Sequence, residues 1–151
     1  MSLLSLLLLS KGRPAPAFTL ADLDGRPKDS AALLENGHAL VLDFFFLACE
    51  PCRESLALLN QLFLQYRQDG LGAVAVSRGD SPEALRAFVD ASGFGFPILT
   101  ADDEDPVFRS YRILAYPTTY VVDGRGRVAY RRAGHDAASL RAALAGLGFA
   151  S

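Results

Sequence analysis

The chain has 151 residues, half of them hydrophobic and 21% charged, which fits one domain with a sizeable core. Fifteen Lys and Arg against 17 Asp and Glu leave a net charge of −2 with no basic stripe, so no nucleic-acid partner is indicated. No run approaches the roughly 20 apolar residues of a transmembrane helix, and two cysteines are too few for a disulfide scaffold.

Residues 3–9 are almost all leucine, with Lys11 and Arg13 after them and no basic residue before. That order is the reverse of a secretory signal. Residues 1–11 are therefore read as an N-terminal segment apart from a single domain at 12–151. Two origins stay open for it: a first strand packing on the core, or an end that was trimmed or altered. Pro14 and Pro16 keep the following residues extended. Residues 18–23 alternate in polarity and Asp24-Gly25 turns them back, which predicts a short hairpin arm. A helical turn at 30–34 ends at Asn36-Gly37. Residues 39–46 then form a strand so apolar that both its faces must be buried. Its only charged residue is Asp43.

A long amphipathic helix is predicted after Cys52, with Leu56, Leu59, Phe63 and Tyr66 at helical spacing and Leu58 and Leu62 beside them. It should end at Asp69-Gly70. Residues 71–76 read as a second buried strand. Ser81-Pro82 starts a helix whose inner face is Leu85, Phe88 and Val89, and Gly93 stops it. A short strand at 96–99, an acidic loop at 102–105 and a short helix at 106–111 follow. Strands at 118–123 and 127–132 make a hairpin through Gly124-Arg125-Gly126. Asp136 caps a last helix with Leu140, Leu144 and Leu147 inward. The alternation predicts an α/β fold with a central mixed sheet flanked by helices.

The chemistry concentrates at Cys49-Glu50-Pro51-Cys52, between the buried strand and the long helix. Such a pair supplies only half of a four-cysteine zinc site, and so short a loop adds little as a structural crosslink. It suits a disulfide that opens and closes. Cys49, at the helix start, faces free N–H groups and the positive end of the helix dipole, which stabilise a thiolate. Cys52, one turn in, is more covered and suits a resolving thiol. Pro51 pre-sets the turn. Glu50 raises the thiolate's proton affinity and biases the pair toward reduction of its targets. Asp43 has two readings, a strand-edge carboxylate that reaches water or a buried acid that takes a proton from Cys52 through a water. Its apolar neighbours favour the second. Glu54 is read as a solvated helix residue.

Tyr116-Pro117-Thr118-Thr119 is the second informative stretch. A proline directly before an apolar strand cannot lie mid-sheet. If the Tyr116–Pro117 bond is cis, the chain bends and the Tyr116 backbone is free to pair with an extended peptide.

Taken together, Asp43, Cys49-Glu50-Pro51-Cys52 and the run from Tyr116 to Asp123 resemble the thioredoxin superfamily. The stretch 12–20 and the inserted β-α block at 74–99 narrow the resemblance to the TlpA/ResA-like branch of bacterial thiol–disulfide oxidoreductases, the redoxin group. The resemblance implies a thioredoxin-like fold with an N-terminal hairpin arm, a cis bond at Pro117, Cys49 as attacking thiol and Cys52 as resolving thiol. It implies no cofactor beyond the cysteine pair. It also implies protein thiols and disulfides as partners, an upstream thiol donor, and a site of action outside the cytoplasmic membrane, with the cytoplasm as the alternative. Two departures stand out. Ala48 precedes Cys49 where the family usually carries Trp, which opens the surface used for partner choice. Ser55 stands where members devoted to cytochrome c maturation commonly carry Glu.

The expected function is reduction of protein disulfides by a monomeric enzyme, with Tyr116, Pro117 and Ala48 at the substrate. One alternative is a peroxiredoxin-type peroxidase, which needs a Thr or Ser where this chain has Phe46. The others are a metal carrier using His135 and a binding module on the same fold. His38 reads as a loop residue, and the acidic run at 102–105 as a solvated loop.

Overall fold

The computed structural model describes residues 9–35 and 37–150. Most of the leucine run at 3–9 therefore lies outside the described residues, and with it the expected first strand. Leu9 packs against the core. The described strands are β1 (Thr19–Asp22), β2 (Pro27–Asp29), β3 (Ala39–Phe45), β4 (Leu71–Arg78), β5 (Ile98–Ala101), β6 (Thr118–Asp123) and β7 (Val128–Ala133). The helices are α1 (Ser30–Leu34), α2 (Glu50–Tyr66), α3 (Pro82–Ser92), α4 (Pro106–Ser110) and α5 (Ala137–Gly146). All seven strands join one sheet in the order β2-β1-β5-β4-β3-β6-β7. β3, β4 and β5 run parallel, and the remaining pairs are antiparallel. The expected α/β fold with a mixed central sheet, hairpin arm and inserted β-α block is present.

β3 is the centre of the molecule because every one of its seven residues is buried. Its alternate side chains feed two cores. Ala39, Val41 and Phe45 join α2, α3 and α5 on one face, while Leu40, Leu42 and Phe44 join α4 and the start of the chain on the other. Ala73 and Ala75 of β4 line the α2 face. Their small side chains leave room for the long helix to lie close against the sheet. On the opposite face Phe44 meets Phe108, Tyr111 and Tyr120 at ring-centroid distances of 5.3–6.3 Å.

Local chemistry sets the helix ends. Ser81, Asp105 and Asp136 each accept a backbone N–H of the first turn of α3, α4 and α5, as capping residues do. α2 stops at Tyr66 and tightens into a 3₁₀ turn at Arg67–Asp69. Gly70 then takes φ +97°, open to glycine, and turns the chain into β4. One expected inward residue is misplaced. α5 ends at Gly146, so Leu147 falls beyond the last turn and is 36% exposed. Phe149 fills the core instead, against Tyr66. Two strands are also displaced from their expected bounds, because β4 runs two residues further, to Arg78, and β5 begins at Ile98.

Leu62 is fully buried under α2 and Leu64 is 49% exposed on its outer side. Leu62→Ala is expected to cost about 2–5 kcal/mol of unfolding free energy, and Leu64→Ala about 0.5 kcal/mol or less. Urea unfolding of the two variants measures both. Equal losses would contradict the orientation of α2.

Candidate active site

Cys49 and Cys52 form a disulfide at the N-terminal end of α2, with Cα atoms 5.3 Å apart. Cys49 is the N-cap residue, Glu50 and Pro51 open the helix, and Cys52 lies one turn in. Cys49 is 7% exposed and Cys52 1%, so a partner that approaches the helix end meets Cys49 first. Glu50, Pro51 and Ala48 are exposed around it. Glu50 lies in the first turn of α2, at the positive end of the helix.

β3 presents Asp43 on the α2 face, 1% exposed. The Ser55 hydroxyl donates to Asp43 Oδ2 at 2.6 Å, and Thr119 Oγ1 donates to Oδ1 at 3.4 Å. Burial pushes the carboxyl up to about 7, against the pull of these two hydrogen bonds. Asp43 is thus a buried acid and not a strand-edge group.

The loop between β3 and α2 is held from the end of β4. Asp80 Oδ2 accepts the Leu47 N–H at 2.9 Å and the Ser77 hydroxyl at 2.6 Å. Arg53 donates to the Leu47 carbonyl at 3.3 Å and lies over the Phe88 ring. The Tyr116–Pro117 peptide is cis. Phe46 packs edge-on against Tyr116 at 5.3 Å between centroids, so the turn before Cys49 touches the bend before β6. Arg78 donates to the Tyr116 hydroxyl at 2.9 Å and to the Asp103 carbonyl at 2.9 Å. Two cavities of about 750 and 500 Å3 lie elsewhere, and neither is lined by a cysteine. Among the described residues no group of three or more His, Cys, Asp or Glu is placed to hold a metal ion.

The AhpC/TSA family profile matches residues 11–131. The chain belongs to the AhpC/TSA family. Within it, the chain is 32% identical over 117 residues to the thiol-disulfide oxidoreductase ResA of Geobacillus thermodenitrificans, covering 78% of this chain and 66% of that one. It is 34% identical over 121 residues to the thioredoxin-like protein YneN of Bacillus subtilis, covering 78% and 68%. The chain thus spans about two thirds of the length of these curated relatives. A Chlorobium tepidum crystal structure assigned as a thiol:disulfide interchange protein DsbE superposes with a TM-score of 0.83 at 25% identity, over 92% of this chain and 98% of that one.

The residues singled out by sequence, Cys49, Cys52, Asp43, Glu50, Pro51, Ala48, Tyr116 and Pro117, gather at one end of the sheet, at the C-terminal ends of β3 and β4 and the start of β6. His38 and His135 stand apart, in the loop before β3 and beside the α5 cap. Four supporting residues were missed: Ser55, Thr119, Asp80 and Arg78. Ser55 had a readable signal, because three residues after Cys52 is the same helix face. Asp80 had none, since 33 residues separate it from Leu47.

The position of Asp43 makes stability depend on pH. Unfolded, its carboxyl returns to about its ordinary value of 3.8, and folded it titrates at about 7. Between those values the folded protein keeps a proton that the unfolded chain loses. Its contribution is full below the lower value and is lost as pH rises through the upper one. In the oxidised protein, Asp43→Asn should remove a loss of roughly 2–3 kcal/mol between pH 5 and pH 8. Urea unfolding of both proteins at the two pH values reads the difference, and parallel behaviour of the two would refute the burial of a titrating carboxyl.

Proposed function

We propose that the chain is a thiol–disulfide oxidoreductase that works mainly as a reductant of protein disulfides. The observation that carries this reading is the seating of the cysteine pair, with Cys49 at the helix end, Cys52 covered behind it, and the Asp43 carboxyl buried beneath. Relatives named thiol-disulfide oxidoreductase support it.

In the reduced protein the Cys49 thiolate attacks one sulfur of a substrate disulfide. A Cys49–substrate bond forms, the substrate S–S bond breaks, and its first sulfur leaves as thiolate. Cys52 then gives its proton to Asp43 through a water and attacks the Cys49 sulfur. The Cys49–Cys52 bond closes and the second substrate sulfur leaves as thiolate. The substrate gains two electrons and the pair loses two, and an upstream thiol donor restores the dithiol. The helix end stabilises the attacking thiolate. Glu50 opposes that stabilisation, which disfavours the dithiol form and makes the pair a better reductant. Pro51 stiffens the turn between the two sulfurs. The Tyr116 backbone, Pro117 and exposed Ala48 receive the substrate chain beside Cys49.

The cysteine pair is the only redox group this cycle uses. The unit formed by residues 12–151 carries the cycle as a monomer. By family likeness it works outside the cytoplasmic membrane. A peroxidase reading lacks the hydroxyl that would orient a peroxide, since Phe46 stands in that place and packs on Tyr116.

Reduction of insulin disulfides with dithiothreitol as donor tests the reading. The unmodified protein should accelerate it, Cys49→Ser should abolish the acceleration, and Cys52→Ser should accumulate mixed disulfides visible on non-reducing gels. No acceleration by the unmodified protein rejects the enzyme reading, and activity retained in Cys49→Ser reverses the assignment of the two thiols.

A further inference from the structure

Ser55 has no part in the cycle just described, yet it makes the shortest contact to the buried carboxylate. A serine inside a helix commonly returns its hydroxyl to its own backbone one turn earlier. Ser55, 5% exposed, gives it to Asp43 Oδ2 instead, at 2.6 Å. That length lies well within the range of a strong O–H···O bond. The Thr119 contact on the other oxygen is 3.4 Å, long for an O–H···O bond. Ser55 follows Cys52 by three residues on α2, so both side chains leave the same helix face toward β3, and both are buried.

We propose that Ser55 is the positioning residue of the resolving step: its hydroxyl fixes the Asp43 carboxylate against the Cys52 face of α2 and sets how readily that carboxylate accepts the Cys52 proton. The proposal rests on the oxidoreductase reading above. It assigns to a side chain of α2 the control of a base that sits on β3.

The groups around Asp43 leave few competitors for that control. α2 contributes Ser55, β6 contributes Thr119, and β4 contributes Ala75 in register. Among the described residues no cation pairs with Asp43, and burial, Ser55 and Thr119 account for its altered titration. Tyr66, Tyr116 and Tyr130 also pack on that face of the sheet, and the two thiols do not titrate in the disulfide form.

The sign follows from the donor. A hydroxyl that donates to a carboxylate favours the charged form. Without it Asp43 holds its proton to higher pH and stays unable to accept one from Cys52. Cys49 attack, which does not use Asp43, keeps its own pH dependence.

Two measurements on the full chain test this. The first is a carbon-13 NMR titration of the Asp43 carboxyl in the oxidised protein. The second is the pH profile of substrate release from a Cys49 mixed disulfide in a single turnover. Ser55→Ala, which suits a helix, should move both midpoints up together by roughly one pH unit. Ser55→Thr should bring both back toward the unmodified protein, and Thr119→Val should move them less than Ser55→Ala. The proposal is overturned if neither midpoint moves in Ser55→Ala, if the carboxyl midpoint moves while the release profile stays, or if Thr119→Val has the larger effect. Failure of the parent reading is separate, because it shows as no insulin reduction by the unmodified protein.

Discussion

A carboxylate in a strand buried on both faces must be met by hydrogen-bond donors, since an unpaired one would be expelled or neutralised. At Asp43 two elements meet it, α2 through Ser55 and β6 through Thr119. That requirement ties the rotation of the long helix to the register of the central sheet. Once Ser55 points at Asp43, Cys52, one turn earlier, must point the same way. The covered position of Cys52 is therefore a consequence of how the acid is satisfied. Apolar packing along Leu56, Leu59 and Leu62 stabilises the helix, but packing alone would tolerate a small rotation that the 2.6 Å bond does not.

The end of β4 carries the second constraint. Asp80 and Arg78 follow the last buried residues of that strand and reach in two directions. Asp80 holds the turn before Cys49, and Arg78 holds the hydroxyl of Tyr116 before the cis bond. The two loops that flank the disulfide are thereby referenced to one strand, and Phe46 against Tyr116 joins them directly. Functional groups at the C-terminal ends of parallel strands are the general arrangement of open α/β sheets. Here that arrangement places Cys49 at the rim of the sheet, beside exposed Ala48, Glu50 and Pro51.

Much of this was legible in the residues themselves. The apolar density of 39–46 announced a strand buried on both sides, and the cysteine pair between it and an amphipathic helix announced redox chemistry. Ser81, Gly93 and Asp136 marked helix ends through capping chemistry that acts over a few residues. What escaped depends on contacts between distant segments. The bonds from Asp80 to Leu47 and from Arg78 to Tyr116 span 33 and 38 residues, and nothing local signals them. Leu147 was misplaced for a related reason. Its spacing continues the helical stripe, but α5 ends first and Phe149 takes the space beside Tyr66. Ser55 stood in plain view as a departure from a family pattern, and its meaning emerged only when the bond to Asp43 could be seen.

Four side chains gather around the cysteine pair. Ala48 leaves open surface where a larger ring is usual, Glu50 shares the helix end with the thiolate, and a strand carboxylate with a helix serine stands beneath the pair. On the proposed reading they make a dithiol that is held covered and gives up its electrons readily. The reduction potential of the Cys49–Cys52 couple, measured by equilibration with glutathione at pH 7, tests that description most directly. A reductant of protein disulfides requires a value at or below about −220 mV, in the range of glutaredoxins and thioredoxin. A value near about −120 mV, that of a strong disulfide-forming oxidant, would contradict it.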